Sequence, residues 1–241
     1  MIIVLAIDAL EYDKVEEFGC TSLKQESFGK TDIAEFSEPR TMVLWSSFMT
    51  GSNKEKEVLA LGDKMMWSYR ISQPETLFAA FKSPSVIDLP GYDYDLAVHE
   101  KSRKLLKAFF DESDKAKKEA IKAEYNKDAF GHHRLVKERF FNALGEKHDF
   151  VLGYFSLADV VGHLNFGNAV MMKMIYKEFD EIAREARKRG DKVLILSDHG
   201  MHQIGIFGDH SNHGFWSLNF KATLKKPKIT EFKGIILGMK K

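Results

Sequence analysis

The chain has 241 residues, 44% of them apolar, which is enough for one domain (1–241) with a large core. A formal net charge of +1 gives no electrostatic reason to bind nucleic acid or an anionic membrane, and no apolar run approaches the roughly 18 residues of a membrane span. The single cysteine, Cys20, excludes a disulfide framework, and no signal-peptide pattern opens the chain, so we expect a cytoplasmic protein.

The first predicted element is a strand over residues 2–7, where a continuous apolar run is typical of a strand buried on both faces. It ends at Asp8, the first candidate carboxylate of a functional site. Residues 11–18 look helical, so Asp8 has a second interpretation as the cap of that helix.

A hydroxyl follows in residues 39–51, where Thr41 opens an amphipathic segment that Gly51 ends. The N–H groups and dipole at the start of a helix favour an anion such as phosphate. A threonine hydroxyl becomes a useful nucleophile only when a metal or base deprotonates it. Without such a partner, Thr41 would be only a helix cap.

Residues 52–148 differ from the rest and are predicted to be a variable, helical, cap-like region. Residues 52–95 are irregular, and their aromatic side chains could either line a pocket or pack within loops. Residues 101–127 predict one or two exposed helices with a solvated charged face. His132 and His133 follow as predicted surface or substrate-side residues.

A second buried strand is predicted over residues 150–155, and it leads to Asp159 and, four residues on, His163. The next helix lies between Asn168 and Arg189, because apolar residues recur there at spacings of three and four. That core-facing stripe consists of Met172, Ile175, Phe179, Ile182 and Ala186.

The third buried strand covers residues 193–196 and ends near Asp198 and His199, which are adjacent in sequence. Three further histidines follow, namely His202, His210 and His213. The tail over residues 231–238 is predicted to be a last strand at an edge of the sheet.

Alternating strand and helix signals favour an α/β fold with a largely parallel sheet. Such a sheet places its chemistry beyond the carboxyl ends of its strands, and a right-handed crossover brings the strand ends around Asp159 and Asp198 to the same edge. Each aspartate alone could cap a helix. Together with the histidines, Asp8, Asp159 and Asp198 predict a shared divalent metal site.

These motifs resemble the alkaline phosphatase superfamily, and within it the nucleotide pyrophosphatase/phosphodiesterase type that uses a threonine nucleophile. The matching blocks, in order, are residues 3–8, Thr41 to Thr50-Gly51 with Ser47 between them, Asp159-x-x-Gly-His163, Ser197-Asp-His-Gly-Met201 and His213-Gly214. The resemblance runs from residue 2 to about residue 219, and it is loose over residues 52–148.

The resemblance implies a three-layer α/β/α fold with a largely parallel central sheet and two divalent metal ions. One ion would be held by Asp8, Thr41, Asp198 and His199. The other would be held by Asp159, His163 and His213, with His210 as the alternative to His213 or as a residue that orients a ligand. A set of imidazoles and carboxylates without cysteine suits zinc, with manganese as the second choice.

The chain departs from the family pattern at two places. Ala9 stands where a glycine is common after the first aspartate. An asparagine that holds a phosphate oxygen in many members has no clear counterpart, and Asn53 and Asp63 are the residues nearest to its place. A carboxylate facing phosphate would be repulsive, so Asn53 is favoured over Asp63 unless the transition state is stabilised differently.

The sequence therefore predicts a metal-dependent hydrolase of small-molecule phosphate esters or nucleotide-like substrates, acting through a phosphothreonine at Thr41. A phosphodiester is favoured over a monoester because no basic cluster awaits a terminal phosphate. The alternatives are a phosphomonoesterase, phosphonate hydrolase or phosphomutase on the same scaffold, or a metal-binding relative without catalysis. The sequence leaves the oligomeric state open.

Overall fold

A computed structural model describes residues 1–240, and its centre is a six-stranded sheet with a separate hairpin. The strands are β1 (Ile2–Ile7), β2 (Ser27–Lys30), β3 (Pro84–Ile87), β4 (Phe150–Phe155), β5 (Lys192–Leu196), β6 (Gly200–Ile204), β7 (Phe207–Ser211) and β8 (Phe215–Leu218). The sheet order is β2-β8-β5-β1-β4-β3, and β6 pairs with β7 outside it. Strands β3, β4, β1 and β5 are parallel neighbours, while β8 runs antiparallel to β5 and β2.

The helices are α1 (Tyr12–Glu17), α2 (Thr21–Lys24), α3 (Thr41–Thr50), α4 (Glu55–Leu59), α5 (Gly62–Met65), α6 (Leu96–Asp111), α7 (Lys115–Ala143), α8 (Leu157–Asn165), α9 (Ala169–Ala186) and α10 (Phe232–Gly238). Short 3-10 turns lie at Met66–Ser68, Gln73–Glu75, Leu77–Ala80 and Ile229–Glu231. No helix within residues 1–240 has the length and apolar character needed to cross a membrane.

The sheet separates two apolar cores because successive side chains of a strand point to opposite faces. Every residue of β1 and β4 is buried, as their apolar runs predict. On one face, Ile3 and Leu5 pack with residues of α7, α8 and α9, and on the other, Val4 packs with residues of α3 and α10. This arrangement confirms the predicted α/β class and its largely parallel central sheet.

The strand prediction for the tail and the surface alternative for two histidines are wrong. Residues 231–238 form a 3-10 turn and helix α10 rather than an edge strand. Phe232, Ile236 and Met239 are buried at spacings of four and three, which is the period of a helix and not of a strand. Residues 101–127 are helical as predicted, in parts of α6 and α7. His132 and His133 lie in α7 and are largely buried, so the surface alternative of their prediction does not hold.

Candidate metal centre and active site

Three adjacent parallel strands deliver an aspartate to the same edge of the sheet. Asp8 follows β1 directly, Asp198 lies two residues beyond β5, and Asp159 stands in the first turn of α8, which follows β4. Because β1 lies between β4 and β5, the three carboxylates meet at the carboxyl edge. Asp8 is 1% exposed and Asp198 is fully buried.

Thr41 opens helix α3, which is buried along nine of its ten residues and therefore fixes where the hydroxyl points. The Thr41 Oγ1 atom lies 3.5 Å from Asp8 Oδ2 and 3.5 Å from His199 Nε2. The hydroxyl thus stands at the edge of the carboxylate cluster, as the sequence predicts for Thr41.

Asp8, Asp198 and His199 form the first group with ligand atoms close enough to share one ion. His199 Nε2 lies 3.2 Å from Asp8 Oδ1 and 3.5 Å from Asp198 Oδ2. Its other ring nitrogen, Nδ1, lies 3.0 Å from the Gly200 carbonyl, which fixes the ring with Nε2 toward the carboxylates when Nδ1 donates. These residues and Thr41 are the predicted first set.

The second group with ligand atoms close enough to share one ion is Asp159, His199 and His210, so His199 belongs to both groups. His163, the predicted ligand, is not in this group, although its Nε2 lies 3.3 Å from Asp159 Oδ1. His210 Nε2 lies 3.2 Å from the same oxygen. The His210 ring also stacks on His199, with centroids 3.9 Å apart, so the two groups adjoin. The Nδ1 of His210 lies 3.0 Å from the Pro39 carbonyl, an arrangement that directs Nε2 toward Asp159.

His213 does not join Asp159 and His163, contrary to the expectation from its His-Gly motif. Its Nε2 lies 3.1 Å from Glu11 Oε1, and Glu11 also accepts from the Ser211 hydroxyl and the Met201 N–H. The hairpin explains the difference: His210 lies on β7, whereas His213 lies beyond its end, beside the buried Glu11. His202 is exposed on β6.

Unpartnered buried atoms show that this cluster fits a cation. Oδ1 of Asp8, Oδ1 of Asp159, both carboxylate oxygens of Asp198 and Nε2 of His210 lack a hydrogen-bond partner. Burial, and then the charge of Asp8, raises the pKa of Asp198 well above its usual value. Burial also acts to raise the pKa of Asp159, but His163 and His210 hold it well below the usual range. This mix of carboxylate oxygens and imidazole nitrogens is a donor set that can hold a divalent metal.

Asn53 and Asp63, the candidates for holding a phosphate oxygen, lie away from this cluster. The exposed Asn53 amide donates to the Glu35 carbonyl and accepts from the Glu55 N–H. Asp63 is exposed and accepts from Arg40 Nη1 at 2.6 Å. The structure therefore brings neither residue to the cavity beside the metal cluster.

That cavity has a volume of about 210 Å³ and opens beside Asp8, Thr41 and Asp159. Its other wall includes residues from the cap-like region that the sequence did not single out for a role, namely His99, Ser102, Arg103 and Leu106 on α6. Their i, i+3, i+4, i+7 spacing was an available signal, but the charges around it favoured a solvated face. Trp67 and Tyr94 also line the cavity, which is one of the two alternatives left open for their region.

A third group of ligand-type side chains, Asp88, His99 and His132, adjoins the cavity. Asp88 follows β3 with a φ of +60°, and its Oδ2 lies 2.9 Å from His99 Nε2 and 2.7 Å from His132 Nε2, with hydrogen-bond geometry. Although burial acts to raise the pKa of Asp88, the two imidazoles lower it to about 2. In the cluster around Asp8 and Asp159, by contrast, several carboxylate oxygens and one imidazole nitrogen have no hydrogen-bond partner. The group at Asp88 has no such atom among the described residues, so its contacts are explained by hydrogen bonds alone. We therefore assign Asp88 the role of anchoring His99 and His132.

Solved structures share this fold. Two structures of the TAB5 alkaline phosphatase, an enzyme from an Antarctic bacterium, match with TM-scores of 0.52 and 0.50 at 11% and 12% sequence identity. Both matches cover 98% of this chain and 96% of the phosphatase. The expected alkaline phosphatase-like fold is thus confirmed.

Two larger proteins match over part of their length. The murine ectonucleotide pyrophosphatase/phosphodiesterase 5 is 13% identical, with a TM-score of 0.45, 85% of this chain covered and 58% of its own. A phosphonoacetate hydrolase from Sinorhizobium meliloti, in complex with phosphonoacetate, is 16% identical, with a TM-score of 0.45, 83% of this chain covered and 57% of its own. The chain therefore spans less than two thirds of either protein. No protein-family model and no curated protein matches the sequence.

Proposed function

We propose that the chain is a metal-dependent hydrolase of phosphate esters with Thr41 as its nucleophile. The observation that carries this proposal is the meeting of Thr41 with two adjoining carboxylate and imidazole groups that contain unpartnered buried oxygens. Asp8, Asp198 and His199 with Thr41 would hold one zinc ion, and Asp159, His163 and His210 the other. The presence of His210 beside Asp159 supports its assignment in place of His213.

Two divalent ions would stabilise the Thr41 alkoxide and the charge on the oxygens of the phosphoryl group. The chain contributes the placement of the reacting groups. Helix α3 holds the Thr41 hydroxyl at the cavity, and its first N–H groups favour an anionic phosphoryl group there. The buried surroundings of Asp8 and Asp198 keep water away from the attacking oxygen, which strengthens electrostatic interactions.

The reaction takes place in two displacements. In the first, Thr41 Oγ1 gives its proton to solvent and attacks phosphorus, the bond from phosphorus to the leaving oxygen breaks, that oxygen takes up a proton, and phosphothreonine forms. In the second, water attacks the same phosphorus, the bond to Thr41 breaks, one water proton passes to Oγ1, and the water oxygen stays bound to phosphorus. A cavity of about 210 Å³ supports a small-molecule substrate.

A diester is the favoured substrate because the cavity wall has one arginine, Arg103, and no lysine, and so offers no cluster of these side chains to a doubly charged terminal phosphate. We expect the zinc-loaded protein to cleave bis(4-nitrophenyl) phosphate with a higher kcat/KM than 4-nitrophenyl phosphate. Nitrophenol release reports both reactions, and manganese-loaded protein gives the comparison for metal identity. A much faster reaction with the monoester would contradict the diester preference, and no reaction with either would contradict the hydrolase.

A further inference from the structure

One wall of the cavity is a single face of helix α6. His99, Ser102, Arg103 and Leu106 follow one another at spacings that place them on the same side of a helix. Asp88 fixes the ring of His99, which also stacks on Tyr94 with ring centroids 4.0 Å apart. This wall is therefore built from side chains with restricted positions.

Arg103 differs from the other cations of α6. Lys101 lies 2.5 Å from Asp128, Lys104 lies 2.6 Å from Glu100, and Lys107 pairs with Asp111. Among residues 1–240, no carboxylate lies within ion-pair distance of Arg103, although its guanidinium is only partly exposed. An unpaired cation at a cavity wall is available to an anionic ligand.

Trp67 positions this cation. The Arg103 guanidinium lies 4.2 Å from the centre of the Trp67 ring, and Trp67 is itself stacked on Tyr94, with centroids 6.4 Å apart and an angle of 20°. Stacking on an aromatic face restricts the guanidinium while its N–H donors stay at the rim of the plane. Ser102 precedes Arg103 in the chain and lines the same cavity.

We propose that Arg103, assisted by Ser102, binds a second anionic group of the substrate, so that the natural substrate is a phosphate ester that also carries a carboxylate or a further phosphate. This proposal rests on the proposed function in one respect, namely that the cluster around Asp8 and Asp159 binds the phosphoryl group of the substrate. Arg103 lines the same cavity as Thr41 and Asp159, so one small molecule can contact Arg103 and the candidate metal cluster at the same time.

The test compares phosphonoacetate with ethylphosphonate, which replaces the carboxylate by a methyl group. Both are titrated by calorimetry into zinc-loaded Thr41→Ala protein, which removes the nucleophile so that neither ligand is consumed. We expect phosphonoacetate to bind at least about tenfold more tightly than ethylphosphonate, because a charge-assisted hydrogen bond from Arg103 to the carboxylate contributes that much to affinity. Adding Arg103→Gln should abolish this preference while leaving ethylphosphonate binding nearly unchanged. Adding Lys104→Gln, which changes an adjacent paired cation, should preserve it.

Equal binding of the two ligands, no binding of either, or a preference that survives Arg103→Gln would overturn the proposal. Circular dichroism of each variant checks that it is folded. Failure of the hydrolase proposal is distinguishable from failure of this one. If wild-type protein shows no ester turnover, the carboxylate preference that depends on Arg103 can still be present.

Discussion

His210 and His213 are three residues apart, yet they face different carboxylates. His210 lies against Asp159, and His213 lies against Glu11. We expect His210→Ala to lower the bound metal from two ions to one and to reduce turnover by at least about 100-fold, because one charge-stabilising ion is lost. His213→Ala should keep both ions and most of its turnover. Metal analysis with nitrophenol release separates the two variants, and the opposite pattern would restore His213 as the ligand.

Ala9, which stands where the sequence resemblance leads one to expect glycine, has a backbone conformation that favours glycine. Ala9 has a φ of +56°, a left-handed conformation that costs a residue with a Cβ atom about 1 kcal/mol or more. We expect Ala9→Gly to leave the free energy of unfolding unchanged or to raise it by up to about 1 kcal/mol. The matched change Ala6→Gly within β1 should lower it, since glycine weakens a strand. Denaturant unfolding measures both, and a clear loss at position 9 would refute this explanation.

At the scale of single residues, the sequence analysis singled out most members of the candidate cluster. Asp8, Asp159 and Asp198 could be found because each follows a long apolar strand, and strand ends share an edge. The choice between His210 and His213 depends on the register of the β6–β7 hairpin, which local sequence does not determine. The sequence did not single out Arg103, because sequence alone does not show which cations of a helix form ion pairs. That depends on the residues that the fold brings next to each of them.

Helices α7 and α9 are joined by Glu178, which lies 3.2 Å from His133 Nε2 and 2.6 Å from Lys137 Nζ. The hydrogen bond from His133, and also Lys137, lower the pKa of Glu178 to about 2, against the opposing effect of burial. A lowered carboxyl pKa stabilises the fold above the unfolded-state value of about 4.5, and this stabilisation disappears as the pH falls toward 2.

We therefore expect Glu178→Gln to be less stable than wild type near pH 6 and the difference to shrink between pH 4.5 and 2. Thermal unfolding followed across this range measures it. Glu119→Gln, an exposed change on α7, is the control and should have little effect at any pH. A difference that stays constant with pH would exclude Glu178 ionisation as its cause.

Elements with a strong period were predictable, and short ones near the tail were not. The stripe from Met172 to Ala186 is buried along α9, as expected. The strand prediction for residues 231–238 was wrong because their apolar group is short. Composition does not distinguish a strand from a helix in so short a segment, which contains Phe232, Ile235, Ile236 and Leu237. Packing of α10 on the face of the sheet that also carries α3 decides the outcome.

At the scale of the whole molecule, we expect the carboxylate cluster at Asp8 and Asp198 to link ion binding to stability. Asp8 and Asp198 are buried together without a lysine or arginine partner among residues 1–240, and the pKa of Asp198 is raised, so ionising Asp198 opposes folding unless a cation is bound. We expect chelation to lower the melting temperature of wild type, with a free-energy loss of about 3 kcal/mol for each ion when zinc had been present at 100 times its dissociation constant.

Asp198→Asn should respond less to chelation, and its metal-free form should be more stable than metal-free wild type because one buried charge is gone. Asp111→Asn, which changes an exposed carboxylate far along α6, should respond as wild type does. Calorimetric melting with and without chelator provides the comparison. An Asp198→Asn protein as sensitive as wild type would show that this group binds no ion.

The proposal that Thr41 is the nucleophile of a metal-dependent hydrolase is tested most directly by measuring metal content and bis(4-nitrophenyl) phosphate turnover in the same samples of wild type and Thr41→Ala. We expect two ions in wild type, retention of metal by Thr41→Ala, and a fall in its turnover of at least about a thousandfold, since the attacking group is gone. Thr50→Ala, at the other end of α3, should match wild type. Turnover by Thr41→Ala at the wild-type rate, or metal-loaded wild type without turnover, would contradict the mechanism.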